Sequence, residues 1–115
     1  MKYFKIEEFA CECCGVADMD QSLLWHLDYA REVSEVPFSI NSGYRCKKHN
    51  KEVGGKPESA HLTGNAVDIA TPDSRTRFKV IMSLMAAGFN RLGIYDTFVH
   101  VDNDKTKPHE VTWVD

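Results

Sequence analysis

Apolar residues recur at helical spacing after Asp20: Leu23, Leu24, Leu27, Ala30, then Val33 and Val36, up to Pro37. That period puts them on one face of a helix, with Asp20 as its N-cap and Pro37 beyond its end. A second helix is predicted from Thr71-Pro72-Asp73-Ser74 to Gly88, with Phe78, Ile81, Met82, Leu84 and Met85 as its core face. Between the two the pattern changes. Phe38-Ser39-Ile40-Asn41 reads as a short strand ending at Ser42-Gly43, and residues 46–53 as a short helix stopped by Gly54-Gly55. A polar loop follows over 56–65, and Ala66-Val67-Asp68-Ile69-Ala70 reads as a strand. Three more strands are predicted over 91–95, 98–102 and 110–114. Helices and strands segregate instead of alternating strictly, which predicts an α+β fold with a mostly antiparallel sheet.

The 115 residues suffice for one domain and one core. That domain is expected to span 1–115, with residues 1–19 a cysteine-containing segment packed on the rest. A net charge of -3 supplies no basic field to hold nucleic acid or an anionic membrane. No apolar run approaches the roughly 18–20 residues that a membrane-spanning helix needs. The opening Met1-Lys2-Tyr3-Phe4-Lys5-Ile6-Glu7-Glu8 turns acidic before an apolar signal segment can develop. The expectation is therefore a chain made in the cytoplasm, monomeric, and meeting a cell wall only if released, as by lysis.

The stretch Ser59-Ala60-His61-Leu62-Thr63-Gly64-Asn65-Ala66-Val67-Asp68 carries the candidate chemistry. Asp68 lies between Val67 and Ile69, where a carboxylate is costly unless paired, hydrogen-bonded or bound to a cation. Gly64 lets the loop after His61 turn tightly into the strand. On the strand over 98–102, Phe98, His100 and Asp102 share one face, opposite Val99 and Val101. Two imidazoles and one carboxylate form a catalytic zinc set with a fourth position left for water or substrate. Taken singly, a buried histidine or aspartate is more often a satisfied hydrogen-bonding group than a ligand. The joint pattern carries the weight.

That pattern has a family resemblance. Ile40-Asn41-Ser42-Gly43-Tyr44-Arg45, then Asn50, Val53-Gly54-Gly55, Ser59-x-His61-x-x-Gly64-x-Ala66-x-Asp68-Ile69 and finally His100-x-Asp102 closely resemble zinc D-Ala-D-Ala carboxypeptidases and murein endopeptidases. Hedgehog signalling domains share that fold. The similarity runs from about Phe9 to Trp113 and is nearest to the small phage and bacterial branch. The resemblance implies a metallopeptidase acting on peptidoglycan stem peptides, with His61, Asp68 and His100 holding a catalytic zinc. It gives Arg45 a place beside the metal, stabilising a polarised carbonyl or binding a substrate carboxylate. The alternative for Arg45 is a structural salt bridge. Ser59 becomes a substrate-facing hydroxyl or a turn former. Better-known members place a Glu three residues before the last ligand, or a His two before it; here those positions hold Thr97 and Phe98, neither of which can be a base. Asp102 is the first candidate for the base and Asp96 the second. Asp102 has the competing role of orienting the His100 ring. Because hedgehog domains keep fold and metal for protein recognition, a non-catalytic zinc-bearing binding domain is the alternative to the enzyme.

The four cysteines are Cys11, Cys13, Cys14 and Cys46. Cys11 and Cys14 form a C-x-x-C, and Cys46 with His49 a C-x-x-H, with the latter pair on one face if 46–53 is helical. Three readings stand: a second, structural zinc on Cys11, Cys14, Cys46 and His49; disulfides; or thiols acting as small apolar side chains. The 31 residues between Cys14 and Cys46 make a longer loop than zinc knuckles usually have.

Overall fold

A computed structural model describes residues 1–115. Asp20 accepts a hydrogen bond from the Leu23 amide and starts α1 (Gln21–Ser34), which buries Leu23, Leu24, Leu27 and Ala30 as its spacing predicts. Val33 and Val36 are only half-buried, and the helix ends at Glu35 in the left-handed region, φ 61°. The first strand, β1 (Ile40–Ser42), is displaced toward the C-terminus of the predicted one. α2 (Lys47–Glu52) is capped by Cys46, whose Sγ accepts from the His49 amide. The predicted polar loop contains a 3-10 turn, Ala60–Thr63, capped by the Ser59 hydroxyl and closed by Gly64 at φ 71°. β2 (Ala66–Ala70), α3 (Ser74–Ala86), β3 (Arg91–Ile94), β4 (Phe98–Asp102) and β5 (Val111–Val114) complete the chain.

α3 corrects the sequence reading. Its buried side is Val80, Ser83, Leu84 and Ala87, while Phe78, at 66 % exposure, Met82 and Met85 face outward and Ile81 is half-buried. Two apolar stripes run along this helix, and the buried one has the smaller side chains. Small residues let α3 lie close on α1 and on the sheet, and that tight packing outweighs the larger area of the other stripe.

The five strands form one sheet in the order β1-β2-β4-β3-β5. Every pairing is antiparallel except β3 with β5. The fold is therefore α+β, as expected. Strand alternation divides the sheet into two faces. Val67, Ile69, Leu92, Val99 and Val101 join α1 and α3 in one hydrophobic core, to which residues 1–19 contribute Phe4, Phe9 and Met19. The opposite face carries Asp68, Gly93, His100, Asp102 and Trp113. No helix is long and apolar enough to cross a membrane.

Candidate active site

Register builds the site. Ser42 pairs with Asp68, Asp68 with His100, His100 with Gly93, and Gly93 with Trp113, so one row crosses the sheet from β1 to β5. A Cβ at Gly93 would come within 2.6 Å of the Trp113 indole; only glycine lets that ring lie flat across β3. The indole comes to rest 5.6 Å from the His100 ring. His61 enters from the 3-10 turn beside the row, its ring 5.3 Å from that of His100.

Three donor atoms converge on one point. Asp68 Oδ1 lies 2.9 Å from His100 Nδ1 and 3.3 Å from His61 Nε2, and the three residues' ligand atoms all fall within 4.8 Å of one another. The other nitrogen of each ring is already committed. His61 Nδ1 donates to the Gly43 carbonyl at 2.7 Å, which leaves Nε2 to face Asp68. His100 Nε2 is 2.8 Å from Asp102 Oδ2, which leaves Nδ1 to face Asp68. Such outer partners fix the tautomer and aim of metal-binding imidazoles. Two imidazoles and one carboxylate, with the cleft open beside them, could hold zinc and leave a position for a further ligand.

Asp102 is 3 % exposed and fully engaged. Its Oδ1 accepts from Arg91 Nε at 2.7 Å and from the Asp104 amide at 3.1 Å, while its Oδ2 faces His100. Arg91, itself buried, also donates to the Pro108 carbonyl, and its guanidinium lies over the Trp113 ring. Arg45 sits on the other side of the row. Its Nη2 is 3.3 Å from Asp68 Oδ2, its Nε donates to Ser42 Oγ at 3.0 Å, and its Nη1 donates to Asn50 Oδ1 at 3.2 Å. Ser59 Oγ accepts from the His61 amide. These groups line a cleft of about 540 Å³, together with Tyr95, Phe98, Lys56 and Lys107. Four cationic side chains against two carboxylates give the cleft a positive balance, although the whole chain is acidic.

The charges are mutually set. Burial pushes the Asp68 carboxyl up, but hydrogen bonds and attraction from His100 and His61 more than reverse this and hold it well below the usual carboxylate range. Asp102 follows the same logic, burial opposed and outweighed by His100 and Arg91. For His100, burial favours the neutral ring, yet Asp102 and Asp68 raise its pKa above the ordinary 6.5. A raised histidine stabilises the metal-free fold below about pH 6.5, and that contribution is lost as pH rises through the raised value. A zinc held by His61, Asp68 and His100 would need the same Nδ1 free of its proton. The rise in melting temperature on adding zinc should therefore be smallest near pH 6 and grow toward about pH 8. Thermal shift scans across that window check this; a rise independent of pH would remove His100 Nδ1 from the ligand set.

The fold thus brings His61, Asp68, His100, Arg45, Ser59 and Asp102 to one cleft. Asp96 is exposed in the turn between β3 and β4 and does not line it. Cys11, Cys14 and Cys46 gather elsewhere, beyond Arg45, as free thiols, with His49 Nδ1 turned toward Glu52 at 3.9 Å. Burial pushes the Cys11 thiol up, but the amides of Cys46, Cys14 and Cys13 bring it down to about 6. Sequence reasoning missed Arg91, Tyr95 and Trp113. An arginine opening the apolar run Arg91-Leu92-Gly93-Ile94 was a signal for the first. Its partner emerges only with the β3–β4 register.

An arginine-flanked pair of imidazoles and a carboxylate, set in an open cleft on a sheet, could hold a divalent metal with a position open to the cleft. The sequence model of the Peptidase M15 family matches residues 2–102, and the chain belongs to that family of zinc D-Ala-D-Ala carboxypeptidase-like peptidases. Membership implies a zinc-dependent hydrolase. A search of curated proteins found no match.

Proposed function

We propose that the protein is a zinc peptidase of peptidoglycan stem peptides, cutting beside a D-amino acid as a carboxypeptidase or endopeptidase. The observation that carries this reading is the convergence of His61 Nε2, Asp68 Oδ1 and His100 Nδ1, each held by an independent partner, in a cleft of positive balance. Zinc bound there would supply Lewis acidity, making water acidic near neutral pH and polarising a carbonyl oxygen. The chain's own residues do the rest. Asp68 offsets the charge of Arg45 and of the metal together. Asp102 keeps the His100 proton on Nε2 and holds the ring in place. Arg45, braced by Ser42 and Asn50, presents a fixed cation to a substrate carboxylate or to a developing oxyanion. The Tyr95 hydroxyl accepts from Trp113 Nε1 at 3.3 Å, so its own proton is directed elsewhere and is available to the cleft. Release by lysis, as with a phage endolysin, is the route by which such an enzyme would meet the wall.

A second reading, a zinc-bearing binding domain, draws on one observation. The carboxylates and imidazoles lining the cleft are all engaged with one another or with arginines, so no side-chain base stands free. Incubation with defined muropeptides, with and without chelator, and mass spectrometry of the products separates the two. Chelator-sensitive cleavage is expected, and the fragment released names the bond. Retained zinc with several wall chemistries uncut would replace the enzyme by the binding domain.

A further inference from the structure

We propose that Cys11, Cys14 and Cys46 bind a second, structural zinc that pins the arginine-bearing loop of the cleft to the N-terminal segment. The three sulfurs lie within 4.8 Å of one another, and the Cys11 and Cys46 Sγ atoms are 3.7 Å apart. Tetrahedral zinc with bonds of about 2.3 Å holds its sulfurs about 3.8 Å apart. A disulfide would need about 2.05 Å. The observed spacing is too long for a disulfide and matches the separation that two thiolates on one metal require.

The backbone is shaped for the same purpose. The Cys11 amide donates to the Val16 carbonyl at 2.7 Å and the Gly15 amide to the Cys11 carbonyl at 2.8 Å, with Gly15 at φ 75°. This closed loop turns the Cys11-x-x-Cys14 pair back on itself, so that both sulfurs face the same side. Cys46 arrives from the other direction at the start of α2. The Cys46 amide points at Cys11 Sγ from 3.5 Å and the His49 amide at Cys46 Sγ from 3.4 Å. Amide donors stabilise thiolate sulfur, and thiolates crowded this closely repel one another without a cation between them. A soft, all-sulfur face selects zinc over magnesium or calcium. Three thiol protons leave to solvent on binding. The fourth position falls to water, since Cys13 stands outside the cluster and His49 is turned toward Glu52.

The location says what the metal does. Cys46 follows Arg45, and the segment from Ser42 to Arg45 touches the candidate active site at three points. Arg45 Nη2, itself braced through Nε by Ser42 Oγ, meets Asp68, the Gly43 carbonyl holds the His61 ring, and the Arg45 amide donates to the His61 carbonyl. On its outer side this segment meets residues 1–19 through the Tyr44 amide on the Phe9 carbonyl. A zinc joining positions 35 residues apart fixes that side as well. Small domains with modest cores gain most from such a staple.

This inference is independent of the peptidase reading, and its test reads metal, not turnover. The full chain is purified under reducing conditions with zinc, as the parent and as a His61→Ala/His100→Ala variant lacking the cleft ligands. The variant is expected to retain one zinc per chain. Replacement by cobalt should give an intense near-ultraviolet sulfur-to-cobalt band, in the variant and in the parent alike, that Cys14→Ser removes. A zinc-free variant that is still folded overturns the proposal, as does an intact mass two daltons low that reveals a Cys11–Cys46 disulfide. Should either variant fail to fold, the cobalt spectrum of the parent decides, and absence of the sulfur band overturns the site.

Discussion

Asp68→Asn is expected to leave a folded protein that holds no metal in the cleft and cleaves peptide at least about 10³-fold more slowly, as loss of several kcal/mol of Lewis-acid stabilisation requires. The substitution keeps size and shape at a position only 6 % exposed, so the core beneath should not move. It removes the one negative charge among the proposed ligands. In the parent, Asp68 Oδ1 faces both imidazoles while Oδ2 holds Arg45 Nη2 at 3.3 Å. Without that charge a divalent cation would stand beside a guanidinium with two neutral rings as its main ligands, and Coulomb repulsion at such distances amounts to several kcal/mol. Zinc analysis with circular dichroism and a muropeptide assay tests the whole chain of reasoning. Full zinc occupancy with parental turnover would remove Asp68 from the site.

How far the sequence reveals this arrangement depends on the range of each interaction. Asp68 and His100 announce themselves locally, a carboxylate between Val67 and Ile69 and an imidazole between Val99 and Val101, because a buried polar group in a strand needs a partner. That they are direct cross-strand neighbours follows only from the β2–β4 register. The α1 face of Leu23, Leu24, Leu27 and Ala30 is legible because its aliphatic residues recur at helical spacing after the Asp20 cap, whereas the other apolar residues, Trp25 and Tyr29, are exposed aromatics with polar tips. α3 has two apolar stripes, and choosing between Phe78-Met82-Met85 and Val80-Leu84-Ala87 requires knowing how closely α1 approaches. Arg91 and Asp102 each stand out singly, but that they pair follows only from the β3–β4 register. Trp113 is hidden for a related reason. Its place depends on a missing side chain, at Gly93, on a neighbouring strand.

The Arg91–Asp102 pair makes Asp102 the residue whose substitution separates the most hypotheses. Asp102→Ala leaves Arg91 buried with only the Pro108 carbonyl and the Trp113 face, and an unpaired buried cation costs about 3–5 kcal/mol. Urea unfolding should show that loss as a lower midpoint. The same change frees the His100 ring, and zinc affinity is expected to fall about 10–100-fold, as it does when a carboxylate behind a ligating imidazole is removed. The two effects have different origins and come apart in Arg91→Met/Asp102→Ala. An apolar side chain in place of the cation should restore most of the stability, because replacing a buried ion pair by packed apolar groups is near neutral. Zinc affinity should stay low, since nothing has replaced the partner of His100 Nε2. Turnover at saturating zinc then assigns the role. A rate within about tenfold of the parent makes Asp102 the group that orients His100, whereas a loss of the roughly 10²–10⁴-fold typical of a missing general base makes it the group that moves the proton.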